Sequence, residues 1–107
     1  MTNGEEDIFL AYKQTIPSKL AAIKEAIALF EAKQEATTLD PLRRLIHKLA
    51  GSSGTYGYAE ASALCKQMDV QMQQLLQAWD PIKAQALAVH EIQPFFAQLE
   101  KTLEATR

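Results

Sequence analysis

His47 stands in the run RRLIHKLAGSSGTYGY, residues 43–58, with two arginines before it and glycines at 51, 54 and 57 after it. Those residue types at that spacing suit one chemistry. A solvated imidazole is largely neutral at pH 7, so one ring nitrogen keeps a lone pair for nucleophilic attack. Arginines such as Arg43 and Arg44 pair well with phosphoryl oxygens. Glycine inside a helix costs roughly 0.5–1 kcal/mol against alanine, so helix stability alone does not account for Gly51 and Gly54. A phosphoryl group carried on imidazole, on a surface low enough for another protein to approach, accounts for all three features.

The histidine's direction follows from the helix that carries it. At roughly 100° per residue, Leu42, Leu45, Ile46, Leu49, Ser53 and Tyr56 share one sector, the face expected to be buried. His47 points roughly 120° from the middle of that sector, beside Arg43, Arg44, Ala50, Gly51 and Gly54. None of these is large and apolar, so the ring is expected to face solvent. Lys48 lies about 100° from the histidine, but its long side chain can swing toward it.

The elements around that helix are read as helical almost throughout. Alanine, leucine, glutamine, glutamate and lysine dominate, and no alternating β-branched runs occur. The expected helices span about 5–13, 18–34, 40–56, 59–78 and 81–103. Ile16-Pro17-Ser18 is expected to interrupt the first two, with Ser18 as a cap or Pro17 in a first turn. Asp40-Pro41 and Asp80-Pro81 read as start signals, although an earlier start near Thr37 or Thr38 also fits. Gly57 is a natural stop. Pro94 is expected to kink or break the last helix near residues 90–94. Short connections make consecutive long helices antiparallel. The expectation is one all-α domain over 1–107, an antiparallel four-helix bundle with a short additional helix at its N-terminal end.

Composition narrows the function. The chain has 107 residues, 48% of them hydrophobic, enough for one core and little more. Its formal net charge of -2 gives no bulk attraction to nucleic acid or anionic lipid. No apolar run approaches the ~18–20 residues of a membrane span, and the acidic start "MTNGEEDIFL" does not read as a signal peptide, so a cytoplasmic location is expected. Cys65 is the one cysteine and reads as a small core residue. His47 and His90 lie far apart, with no carboxylate at ligand spacing, so no metal site is expected. GSSG lacks both the strand-to-helix elbow of a serine nucleophile and the ending of a phosphate loop. Tyr56 and Tyr58 read as core and end-packing residues, and Trp79 as a plug at the bundle end.

The segment LIHKLAGSSGTYGYAEASALCKQMD, residues 45–69, resembles the histidine-containing phosphotransfer (HPt) domain of phosphorelays. The family pattern of histidine, hydrophobic residue, glycine, small residues and a second glycine is met by His47, Leu49, Gly51, Ser52, Ser53 and Gly57. The resemblance implies that His47 accepts a phosphoryl group through Nε2 from a receiver-domain phosphoaspartate and passes it to another receiver aspartate. It implies receiver domains or a hybrid histidine kinase as partners, and magnesium on the receiver with no cofactor on this chain. It implies neither nucleic acid nor membrane as a partner, and a monomer without kinase activity of its own. Arg43, Arg44 and Lys48 would supply electrostatics; Ala50, Gly51 and Gly54 would form the docking surface; Ser53 and Gly57 would pack and close the motif. One position departs: the family often has lysine three residues after the histidine, and here it is Ala50. That departure keeps an alternative open, a helical adaptor that binds a receiver or another signalling protein without being phosphorylated.

Overall fold

A stripe of apolar residues runs unbroken across the first third of the chain: Tyr12, Ile16, Leu20, Ile23, Ile27 and Phe30 are all buried, spaced three or four apart. In the computed structural model, which describes residues 4–105, this stripe belongs to a single helix, α1, Gly4–Lys33. The expected break at Ile16-Pro17-Ser18 does not occur. Proline at 17 removes one backbone donor and crowds the carbonyl four residues back. Burying Ile16 and Leu20 on one continuous face requires the helix to run through it, and packing outweighs the local preference. Side chains take up backbone carbonyls around the lesion: Thr15 Oγ1 donates to the Tyr12 carbonyl at 2.7 Å and Ser18 Oγ to that of Thr15 at 2.9 Å. The N-terminal stretch is helical, as expected, but as an extension of the first bundle helix.

Helix α2, Ala36–Thr55, starts four residues before the expected Asp40-Pro41 boundary. Leu39 is fully buried in its first turns, and the Glu35 N–H donates to Thr38 Oγ1 at 3.3 Å. Asp40 therefore sits inside the helix, where its carboxylate pairs with Arg43 at 3.5 Å and Arg44 at 3.0 Å instead of capping. The other Asp-Pro pair behaves as read. Asp80 Oδ1 accepts from the Ile82 N–H at 2.9 Å and Pro81 opens α4, Pro81–Ala86. Between α2 and α3, Ala59–Gln77, the chain turns at Gly57, with φ of 88°. There the Tyr58 N–H bonds to the Ser53 carbonyl at 2.8 Å and the Gly57 N–H to that of Gly54 at 3.3 Å, the paired bonds that end a helix on a left-handed residue.

The last rod is α4, a π-helical turn Leu87–Glu91, and α5, Ile92–Ala105. The expected irregularity near Pro94 takes the form of this wider turn. The Ile92 N–H reaches back five residues to Leu87, and Pro94 then lies in the first turn of α5, where the missing donor costs little. The rods are antiparallel neighbours. Tyr12 near the start of α1 bonds Ser52 near the end of α2, at 2.8 Å, and Glu31 near the end of α1 accepts from Gln93 near the start of α5, at 2.9 Å. Among the described residues there is no strand, so the protein is an all-α four-helix bundle, 54 × 21 × 20 Å. Tyr12 stacks on Tyr56 with ring centroids 4.3 Å apart and Tyr58 is buried beside them, closing the bundle end near Gly57. Trp79 is half-buried against the core at the other end.

Pro17 is exposed, so Pro17→Ala should repair the backbone without disturbing the core. The expected gain is roughly 1–3 kcal/mol in urea unfolding; no gain would mean that the long helix tolerates the proline without cost.

Candidate functional site

The buried face of α2 is the one expected, with one extension. Leu42, Ile46, Leu49 and Ser53 are buried, and Leu45 and Tyr56 are partly covered. Ala50 is also buried, at 5% exposure, and this corrects its expected place on the docking surface. Helix α3 packs across that flank: Ser62 Oγ donates to the Ala50 carbonyl at 2.7 Å. The same approach explains Gly54. A Cβ there would stand 3.0 Å from Ser62 Oγ, so this glycine serves the close passage of α3 although its own surface is exposed. Gly51 differs: a Cβ at 51 would meet nothing within 4 Å, so the surface one turn beyond the histidine is open. Ser53 is buried, its hydroxyl turned back to the Leu49 carbonyl.

His47 projects from α2 with 63% of its side chain exposed. Its Nδ1 lies 2.7 Å from Oδ2 of Asp69 on α3, a carboxylate only 10% exposed. Sequence reasoning missed Asp69. The signal was present but weak: Asp69 follows Ala61 and Cys65 at spacings of four, putting a charge in line with buried positions of α3. Only the packing of α3 on α2 shows that this charge meets the imidazole.

Asp69 is held on both oxygens. Arg43 donates to Oδ1 at 3.3 Å, and Gln73 Nε2 donates to Oδ2 at 3.2 Å. Burial pushes its pKa up, but the hydrogen bonds from His47, Gln73 and Arg43 outweigh burial and hold the carboxyl below its ordinary value. Arg43 is thus turned inward between Asp40 and Asp69, not outward as expected. Arg44 is exposed and paired with Asp40. Lys48 is exposed on the other flank, lining a shallow groove with Lys19, Ala22, Ile23 and Leu45 between α1 and α2. Cys65 is buried one turn before Asp69, and burial, with the nearby Asp69 charge, pushes its thiol up to about 12, which leaves it inert as a nucleophile.

His90 is exposed on the last rod and shares no contact with this cluster. Among the described residues no group of three or more His, Cys, Asp or Glu could hold a metal ion. No described helix is long and apolar enough to cross a membrane.

The arrangement is a helical bundle that presents His47 to solvent and braces it from the neighbouring helix. The family model described as "Hpt domain" matches residues 7–107, and the chain belongs to that family. No curated protein and no solved structure matches it. Membership assigns the chain a function of the phosphotransfer type within two-component phosphorelays, in which such domains carry phosphoryl groups and meet receiver or hybrid-kinase domains.

Two outcomes test these placements. Gly57→Ala should cost about 1–2 kcal/mol because of its positive φ; Gly51→Ala should gain roughly 0.5–1 kcal/mol of helix propensity, and Gly54→Ala less than that, because Ser62 Oγ has to give way; urea unfolding of the three variants measures the order. The second concerns pH. A carboxylate whose folded pKa lies below its unfolded value stabilises the fold above the unfolded value, near 3.8, and loses that contribution as pH falls through the folded one. The stability difference between wild type and Asp69→Asn should therefore be present at neutral pH and shrink below about pH 4; a difference constant with pH would show that the charge is not what stabilises.

Proposed function

We propose that His47 is the phosphoryl-accepting residue of a phosphorelay intermediate. Nε2 attacks the phosphorus of a receiver-domain aspartyl phosphate, the P–O bond to the aspartate breaks, and the carboxylate leaves. The reverse attack, by an aspartate of another receiver, discharges the histidine. The observation that carries the proposal is an exposed imidazole whose Nδ1 is engaged by Asp69, which leaves Nε2 for the partner. Little acid–base work is asked of the bundle, because positioning and in-line approach dominate phosphoryl transfer. The receiver brings magnesium.

Gly51 supports the docking geometry, since its surface is open one turn from the ring. Lys48 is the cation left for the incoming phosphoryl oxygens, with Arg44 able to leave its exposed pair with Asp40 at small cost. A buried Ala50 leaves the usual lysine position without a charge, so the receiver's own groups carry more of the compensation.

Incubation with a phosphorylated receiver and magnesium should place acid-labile, base-stable label on the chain. His47→Gln should abolish it and His90→Gln should keep it. Gly51→Arg should fold normally and lower the transfer rate at least about tenfold by blocking approach. Receiver binding without label would instead favour the adaptor, and unchanged transfer in Gly51→Arg would refute the docking face.

A further inference from the structure

We propose that the outer face of α4 and its π-helical turn binds a second copy of this chain, packed antiparallel, to form a weak two-fold dimer. The dimer goes beyond the transfer function and departs from the monomer that the family resemblance implies. Ile82 and Val89 are 78% and 57% exposed, the most exposed large apolar side chains among the described residues. They stand seven residues apart on one face. With Gln85 and Ala86 they outline one shallow hollow, bordered by His90, and no residue of α1, α2 or α3 lines it. Positions i, i+3, i+4 and i+7 of a helix are the four corners of the hole that receives a knob from a facing helix. Ala86 is half-buried and small, so a facing helix can come close. The π turn leaves this face outside: Leu87 and Ala88 both point into the core, while Val89 and His90 remain in solvent.

Charge selects the occupant. Lys83 and Glu91 lie on one flank of the hollow, both lining the cleft toward α3. Eight residues separate them, roughly 12 Å along a helix, and they do not pair with each other. Lys83 has no hydrogen-bond or ion-pair partner among the described residues. Glu91 Oε1 accepts from Gln71 Nε2 at 2.8 Å, which fixes the carboxylate and leaves Oε2 for another donor. A two-fold axis that pairs two helices antiparallel sets each flank against the same flank of the copy. The register that seats Val89 of the second copy between residues 85 and 86 then brings its Glu91 opposite Lys83. Glu91 lies two residues beyond Val89, and an antiparallel neighbour runs back by two. Symmetry repeats both contacts, so two knobs and two ion pairs form together. A foreign helix matches this spacing only by coincidence; a second copy carries it by construction. The seam is short, below the standard interface size of about 1,200–2,000 Å², so the association is weak. Helix α2 and the last rod lie diagonally across the bundle, each packed on α1 and α3. The dimer therefore leaves both His47 rings exposed and can engage two receivers at once.

Sedimentation equilibrium of the full chain, run from about 10 μM to about 1 mM, should show the average mass rising from one copy toward two. Val89→Asp changes an exposed side chain and should hold the mass at one copy throughout. Val70→Asp, at a similarly exposed valine on α3, should behave as wild type. Lys83→Glu and Glu91→Lys should each weaken association about five- to thirtyfold, since two ion pairs turn repulsive together. The double variant restores both pairs with the charges exchanged and should associate within a factor of about three of wild type. Circular dichroism checks that each variant keeps its helix content. A mass of one copy at the highest concentration of wild type would overturn the proposal. So would association that survives Val89→Asp, a double variant no better than its weaker single, or association that Val70→Asp abolishes.

Discussion

Helix α3 lies so close to α2 that Ser62 reaches the Ala50 carbonyl and the surface of Gly54 at once. That approach is the constraint on which the site depends. One helical stretch further along the pair, it sets Asp69 of α3 against His47 and Arg43 of α2. Were α3 to stand off from α2, the carboxylate would lose its cross-helix partners, His47 and Arg43, and a buried charge stripped of partners is poorly tolerated. Glycine and serine at the contact are thus part of the histidine's chemistry although neither touches the ring.

The same packing divides the work among the glycines. Gly54 permits the close contact, Gly57 supplies the left-handed turn that sends the chain back as α3, and Gly51 keeps the approach to the imidazole low. A long first helix holds α2 from the other side through Tyr12 and its bond to Ser52. The imidazole therefore projects from a surface fixed on two flanks, which suits a group that has to meet a partner's phosphorus at a set distance and angle.

Much of this was legible in the chain. Periodicity identified the buried face of α2 and turned His47 to solvent, because helical geometry is local and repeats every few residues. Gly57 and Asp80-Pro81 ended and began helices where their backbone preferences say they should. The readings that failed share one cause. Pro17 does not break α1, Asp40-Pro41 does not start α2, and Ala50 does not lie on the surface, because in each case burial against another helix outweighed a local preference worth a few kcal/mol at most.

Sequence by itself determined the class of the protein: an all-helical bundle of the Hpt family, with an outward histidine and a glycine-lightened surface beyond it. Those features reside in spacing along one helix. Tertiary structure alone decided which residue braces the ring and where the arginines point. Asp69 stands 22 residues from His47, and nothing in local periodicity says which neighbouring helix a side chain will meet. The two come within hydrogen-bond distance only because the hydrophobic faces of α2 and α3 have one good way to fit together.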